Sequence, residues 1–498
     1  MSPHQLSRGP VLAVAVMAVA ALTAPLVIAA PTDARPAAPK KAAANDFDGD
    51  GIRDLAVAAP GGNAGKQVKA GHVSVLYGSK TKPVTARTQV FHQDSPGVPG
   101  TAASGDQFGA ALASGDLDRD GHAELVVGAF KDSPGSRKEA GSVSVLWGGP
   151  KGLSGGATLL SGSGPHALLG KSLAAGDFDG DGDQDIATTN DQSQVRLLLG
   201  PFTRDGSPAA TTLIVNDGER ITDLAAGDVN RDGRTDLVAA RYNPDLYEHP
   251  ETAVWMGTAK GLAPTARVLR KHINDRTTPG GDNVDVGDVN RDGYADVVVG
   301  RDDFRETDMD GGKGGRIIFF PGSTSGPVVS KLVVLTQNTK GVPGTAEYRD
   351  YFGSGVSVSD VNGDGYADIA TGLPGKKVGT VQGAGAVVVL RGGATGPSTT
   401  GAKLFSQSTQ GVPGISEPMD SFGFSTSLID LTGDGSAELV VSGTGEDQGA
   451  GSVWVLKGSR SGPVATGATA FGHSALGTVA APLSALGFSF SNANTYRY

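Results

Sequence analysis

The chain has 498 residues, no cysteine, a formal charge of -10 and 76 glycines. Without thiols there are no disulfides, thiolate metal sites, cysteine nucleophile or lipidated N-terminal Cys, and the negative charge, with no basic run carrying interleaved aromatics, argues against nucleic acid as a partner. Glycine at about twice its ordinary share, with aromatics scarce, suits many short strands joined by tight turns rather than long amphipathic helices.

Residues 1–30 open with a weakly basic segment (His4, Arg8), continue through "VLAVAVMAVAALTAPLVIAA" and end in small residues suited to cleavage near Ala29, Ala30 or Ala34. The expectation is a secretory signal peptide and an extracellular mature protein. The alternative, a retained signal anchor, is weakened by Pro25 and the Ala-rich makeup. Residues 31–44, "PTDARPAAPKKAAA", have linker composition, and nothing after about Gly472 reads as a membrane anchor. Residues 45–498 are expected to form one repetitive domain, monomeric and without membrane association once the signal is cleaved.

The next segment, "DFDGDGIRDLAVAAP", crowds carboxylates into a few residues and runs straight into an apolar strand. Asp46, Asp48, Asp50 and Asp54 stand at positions 1, 3, 5 and 9 of a loop whose sixth residue is Gly51. Alternate residues of a tight loop turn inward, Gly permits the bend, and the carbonyl of position 7 (Ile52) adds an oxygen, so the pattern is that of a calcium loop. An EF-hand is excluded: its Glu at position 12 and flanking helices are missing, and "LAVAAP" reads as a strand.

The loop returns six times. The second and third copies keep four carboxylates: Asp116, Asp118, Asp120 and Glu124 with His122 at position 7, then Asp177, Asp179, Asp181 and Asp185 with Asp183. The next three carry Asn at position 3: Asp228, Asn230, Asp232, Asp236 with Arg234; Asp288, Asn290, Asp292, Asp296 with Tyr294; Asp360, Asn362, Asp364, Asp368 with Tyr366. The last has Asp430, Thr432, Asp434 and Glu438 with Ser436. Ligand charge tunes affinity, so the first three should bind most tightly and the Thr432 loop least. One such loop could be an Asx turn without metal, but seven in phase are not explained that way. Four side chains and a carbonyl leave little room for a substrate, which makes about seven structural Ca2+ ions the expected cofactors.

The first ligands Asp46 and Asp430 lie 384 residues apart over six intervals, a mean of 64. In phase with the loops run apolar strands, "GHVSVLYG", "GSVSVLWG", "SQVRLLLG", "TAVWMG", "GRIIFFPG", "GAVVVLRG" and "GSVWVLKG", and many loops are preceded by a strand such as "DQFGAALASGD" or "DYFGSGVSVSD". Each unit is then a four-stranded meander with the acidic loop joining its first two strands, and seven such units predict an all-β fold, a seven-bladed β-propeller of antiparallel blades. With "FG" before the loop and "VAAP", "VGAF" or "TGLP" after it, the units resemble the FG-GAP repeats of the integrin α-chain N-terminal propeller and of related secreted FG-GAP/VCBS repeat proteins, over about residues 45–498. The fourth and fifth units lack a clear "FG", and no integrin leg domains, transmembrane helix or inserted adhesion domain follow.

The first loop has no "FG" strand of its own, whereas the chain ends in "SALGFSFSNANTYRY". The segment around Leu486, Gly487 and Phe488 is therefore expected to supply the first strand of blade 1 and close the ring. Connections in a meander alternate between faces. The face opposite the acidic loops carries the longer, varied loops, and the resemblance implies that ligand binds there. Tyr242, Tyr247, His249, Asp302, Asp303, Phe304, Arg305 and Asp308 are the candidate ligand-binding residues, aromatics beside charges that suit an extracellular glycan or protein.

No catalytic residue is assigned. "GLSGG" at Gly152 matches G-x-S-x-G but follows a strand with no helix behind it, and the eight His residues show no H-E-x-x-H spacing. The expected function is an extracellular binding or adhesion module rather than an enzyme. The alternative is a secreted propeller enzyme, a lyase or hydrolase acting on polysaccharide.

Overall fold

A strand buried at every position needs cover on both faces, and the second and third strands of these units are such strands: Glu124–Ala129, Ser142–Trp147, Asp296–Arg301, Arg316–Phe320 and Asp368–Leu373 contain no exposed residue. In the computed structural model the cover on each side is a neighbouring sheet. The structure describes residues 41–498 except 83, 191–193, 216–217, 243–249, 271, 274–275, 278–279, 303–312 and 492–498. The expected signal peptide and most of the expected linker lie outside the described residues.

Among the described residues seven antiparallel blade sheets follow one another along the chain, beside two two-stranded pairs, Gly257–Thr258 with Gly261–Leu262 and His272–Ile273 with Arg276–Thr277. Blade 1 holds Leu55–Ala59, His72–Leu76 and Thr88–Phe91; blade 2 Ala111–Gly115, Glu124–Ala129, Ser142–Trp147 and Ser154–Ser161; blade 3 Leu173–Gly176, Asp185–Thr189, Gln194–Leu199 and Ala210–Val215. Blade 4 holds Arg220–Gly227, Asp236–Tyr242, Glu251–Trp255 and Arg267–Val268; blade 5 Asn283–Gly287, Asp296–Arg301, Arg316–Phe320 and Val333–Leu335. Blade 6 holds Ser354–Ser359, Asp368–Leu373, Ala386–Arg391 and Ser398–Phe405; blade 7 Phe422–Ile429, Glu438–Gly443, Ser452–Lys457 and Val464–Phe471. Among the described residues the only α-helix is the four-residue Glu446–Gly449. Ser154 of "GLSGG" begins a strand, so that stretch is a turn entering blade 2.

The fourth strand of blade 1 comes from the other end of the chain. Val57 and Phe490 are antiparallel partners, the Ala58 amide donates to the Ser489 carbonyl (3.0 Å) and the Gly487 amide to the Ala58 carbonyl (2.8 Å). Leu486 and Phe490 are fully buried, as Phe108, Phe352 and Phe422 are at the equivalent "FG" positions. The glycines after them all have positive φ (Gly109, Gly353, Gly423, Gly487), which is why a Gly must follow. The C-terminal strand also reaches both neighbours: Ser425 Oγ donates to the Phe488 carbonyl (3.3 Å) and Ser489 Oγ to the Gly109 carbonyl (3.2 Å). The ring therefore closes as expected.

Each blade joint holds its own hydrophobic cluster, for example Phe47, Val73, Phe108, Leu125 and Leu146 between blades 1 and 2, and Leu55, Val57, Val440, Phe471, Leu486 and Phe490 between blades 7 and 1. The "FG" Phe is the wedge: the Phe108 amide donates to the Ala70 carbonyl (2.8 Å) and the Phe422 amide to the Ala384 carbonyl (3.0 Å), each on the preceding blade. Around the axis, polar side chains join the inner strands. Asp223 Oδ2 accepts from the Val284 amide (3.0 Å), Asp285 Oδ2 from the Val358 amide (2.7 Å) and Ser357 Oγ from the Leu428 amide (3.0 Å).

Truncation before Leu486 removes three buried side chains and a ladder from the seam. At roughly 1.5–3 kcal/mol for each large apolar side chain, the loss should be on the order of 5 kcal/mol. Amide exchange in Leu55–Ala59 is expected to rise well above that in Asp296–Arg301 across the ring, and equal protection in intact and truncated protein would contradict the closure.

Candidate functional site

Six of the acidic loops join a first strand to a second strand and the Asp46 loop leads into the second strand of blade 1, so all seven lie on one face of the ring. Their sixth residues, Gly51, Gly121, Gly182, Gly233, Gly293, Gly365 and Gly435, have φ between +84° and +94°, a region costly for any residue with a Cβ. That bend brings the Gly amide back to the first carboxylate: Gly51 to Asp46 (3.1 Å), Gly182 to Asp177 (2.9 Å), Gly293 to Asp288 (2.8 Å) and Gly365 to Asp360 (2.7 Å). Position 5 accepts from the amide of position 7 in every copy: Ile52 to Asp50, His122 to Asp120, Asp183 to Asp181, Arg234 to Asp232, Tyr294 to Asp292, Tyr366 to Asp364 and Ser436 to Asp434, all at 2.8–3.0 Å.

The ninth residue does something the spacing alone did not disclose. Asp54, buried at 1% exposure, accepts from the Phe47 amide on Oδ2 (2.9 Å) and from the Gly78 amide on Oδ1 (2.9 Å). The same double brace, from the second loop residue and from the Gly after the third strand, recurs at Glu124, Asp185, Asp236, Asp296, Asp368 and Glu438. Burial opposes ionisation and outweighs these donors. It pushes Asp54 up to about 8, Glu124 to about 9, Asp185, Asp296 and Glu438 to about 7, and Asp236 and Asp368 to about 6.

Three loops gather ligand atoms within 4.8 Å of one another: Asp46, Asp48 and Asp50; Asp116, Asp118 and Glu124; Asp177, Asp179 and Asp185. These are the loops with four carboxylates. Asp46 Oδ1 and Asp116 Oδ1 are buried without a hydrogen-bond partner, so the donor set fits a hard cation, all oxygen and partly unsatisfied. Two arginines unforeseen in the sequence reach these loops from the third-to-fourth connections, which share this face. Arg87 pairs with Asp48 and stacks over Tyr77, and Arg204 pairs with Asp118 and Asp120 (2.5 Å each) over Trp147.

On the opposite face, Tyr242 ends the second strand of blade 4 half-buried, and Asp302 is buried at 8% exposure. Tyr247, His249, Asp303, Phe304, Arg305 and Asp308 lie outside the described residues. A pocket of about 580 Å³ opens elsewhere on that face, over blades 6, 7 and 1. Six of its lining residues, Arg349, Tyr351, Met419, Ser421, Leu483 and Ala485, are non-glycine residues with φ between +53° and +69°. They stand three and one positions before "FG" or its C-terminal counterpart "LG". Met419 and Leu483 are 65% and 61% exposed.

Repeated meanders with braced acidic loops and "FG" wedges define a class, and the family models agree with it. The FG-GAP repeat matches residues 42–76, 108–146, 352–390 and 422–456, and the FG-GAP-like repeat matches 177–239. The chain therefore carries FG-GAP repeats on a seven-bladed β-propeller, in keeping with an integrin α-like propeller. Among curated proteins it is 33% identical over 150 residues to phosphatidylinositol-glycan-specific phospholipase D of Rattus norvegicus, covering 30% of this chain and 18% of that one. It is 31% identical over 224 residues to integrin alpha-PS2 of Drosophila melanogaster, covering 41% and 15%. The chain thus spans less than a fifth of the length of these relatives. A solved structure of BBS1N in complex with ARL6DN, soaked with lead, covers 75% of this chain at 11% identity with a TM-score of 0.39, too loose a likeness to carry inference. No helix among the described residues is long and apolar enough to cross a membrane.

The raised carboxyls set a pH dependence for the metal-free protein. Each ninth-position acid is protonated in the fold at pH values where the unfolded chain has released its proton, so its contribution is present at low pH and is lost as pH rises through about 6 to 9. His72, pushed down to about 4 by burial, acts in the other direction below pH 6.5. In chelator, the urea midpoint should fall between pH 6 and 9. A midpoint that rises over that range would contradict the assignment.

Proposed function

We propose that this chain is a secreted propeller held by about seven structural calcium ions, serving as an extracellular binding or adhesion module for a glycan or protein on the face opposite the calcium loops. The observation that carries the calcium reading is the orphaned buried Oδ1 of Asp46 and of Asp116, each inside a loop whose other oxygens converge. Extracellular modules bind calcium with dissociation constants near ~0.1–1 mM. At millimolar calcium each site then adds roughly 0.4–1.4 kcal/mol, and the ion also draws the ninth carboxylate into its charged form.

For the ligand, the pocket over blades 6, 7 and 1 supports the reading better than the loops of blades 4 and 5. It combines exposed Met419 and Leu483, the rings of Tyr351 and Phe424, and the cationic Arg349. An apolar wall with one cation suits a peptide carrying an acidic side chain or an acidic sugar. The integrin relative is in keeping with a binding role. The phospholipase relative shares only a 150-residue segment of this chain.

Calorimetric titration of chelated protein at pH 7.5 should give about seven calcium equivalents from these loops and a rise in melting temperature. Asp179→Ala should lose one equivalent, and two or fewer equivalents in the unmutated chain would refute the reading. Leu483→Asp should leave the melting temperature within about 2 °C, because the side chain is exposed, while abolishing capture on a glycan or extracellular-protein array. Retained capture by this variant would remove the pocket from the ligand site.

A further inference from the structure

One structural position recurs at three blade joints and is filled differently each time. The connection into the next blade carries a Gln two residues after a buried Phe or Leu (Gln93, Gln337, Gln407), then Gly-Val-Pro-Gly, then an Asp two residues before "FG" (Asp106, Asp350, Asp420). The residue that closes on them comes from the turn after the second strand of the following blade: Asp132, Lys376 or Glu446. Backbone bonds fix the equivalence, since the amides of Gly141, Gly385 and Gly451 donate to the carbonyls of these three residues at 2.9, 3.0 and 3.0 Å.

Between blades 5 and 6 the position holds a cation. Lys376 Nζ donates to Gln337 Oε1 (3.3 Å), to Asp350 Oδ2 (2.7 Å) and to the Thr345 carbonyl (2.5 Å). At the other two joints an acid replaces the lysine, and the rest of the cage is kept. Gln93 and Asp106 are 4% and 3% exposed, and Gln407 and Asp420 are 3% and 2% exposed. Gln93 Oε1 and Gln407 Oε1 are buried with no hydrogen-bond partner, whereas their counterpart on Gln337 receives the ammonium. Nearby donors reach the carboxylates but not these oxygens: Ala103 and Glu417 amides bond Asp106 and Asp420 (2.7 and 2.6 Å), Ser142 Oγ bonds Asp132 (2.6 Å), and Gln407 Nε2 bonds Glu446 (3.0 Å).

The charge count decides what fits. One carboxylate and one ammonium sum to zero at the middle joint, whereas two carboxylates leave -2 at the others, a charge that burial penalises unless it is matched. The donors are all oxygen: an amide, two carboxylates and the carbonyl of Thr101 or Ile415, which correspond to Thr345. Thr101 and Asp132 line one pocket of about 360 Å³. Oxygen donors with net charge -2 select a hard divalent cation. We propose two further divalent-cation sites on the face opposite the acidic loops, one formed by Gln93, Thr101, Asp106 and Asp132 and one by Gln407, Ile415, Asp420 and Glu446, with Lys376 as the built-in substitute between them in the ring.

Equilibrium dialysis against calcium tests this on the intact protein. Asp132→Lys combined with Glu446→Lys supplies both joints with the ammonium of the middle joint and should bind two fewer equivalents than the unmutated chain, with an unchanged circular dichroism spectrum. Lys376→Glu should bind one more, and Asp132→Asn or Glu446→Gln one fewer each. Equal counts in the unmutated chain and the folded variants would overturn the proposal. Failure of the acidic-loop sites would lower every count while leaving the difference of two intact, so the two readings fail separately.

Discussion

Seven buried carboxylates, each ending an acidic loop and each accepting two backbone amides, are the constraint on which this ring rests. A single Asp54 or Glu124 ties the start of its loop to the end of the third strand in the same blade, so loop shape and blade shape cannot vary independently. The next link is backbone to backbone. The carbonyls of Asp46, Asp177, Asp228, Asp288 and Asp360 accept the amides of Ala123, Thr235, Ala295, Ala367 and Ala437, each in the following blade's loop. The Ser79 amide bonds the Leu431 carbonyl across the closure.

Much of this was legible in the sequence because the repeat multiplies a weak signal. One D-x-D-x-D-G-x-x-D stretch suggests a turn, seven in phase fix the strand count, and the orphan "LGF" at the C terminus points to the closing strand. Position 9 read as a ligand, and nothing in its spacing disclosed that its oxygens are committed to the Phe47 and Gly78 amides. Asp223 and Asp285 were equally hidden: each sits in an ordinary inner strand, and only the ring geometry turns it toward the next blade's amide. Burial drives Asp285 up to about 7 and Asp223 well above the usual range. Arg87 and Arg204 could be placed on the correct face from connectivity, but the pairing of Arg204 with the loop of the preceding blade depends on how the two blades pack. The candidate ligand residues were chosen from loop length and aromatic content, and six of the eight lie outside the described residues.

The joints also show how a repeat diversifies without losing its frame. Between blades 7 and 1 the counterpart of Gln407 is His473, whose Nε2 meets the Ala450 carbonyl (3.0 Å) and whose ring packs edge-on against His72 at 5.6 Å. Gly62 stands where the other joints have Asp132, Lys376 or Glu446, and a Cβ there would lie 2.4 Å from the His72 ring. The backbone scaffold is held constant by Gly and "FG", which frees the buried polar corner to carry an ammonium, a pair of acids or a pair of imidazoles.

The partnership of Val57 with Phe490 spans 433 positions of the sequence. Joining two points so far apart costs roughly 5 kcal/mol of chain entropy on a 3/2 RT ln n scale, and during synthesis the inner edge of blade 1 waits, unpaired, until almost all of the chain described here has emerged. Blades 2 to 7 can zip up sequentially on local contacts, but the first blade is kept open as a receptor for its own distant strand. Until then its exposed ladder would accept any extended peptide of suitable pattern, so the interval between translation and closure is when this molecule is most vulnerable to pairing with another copy of itself.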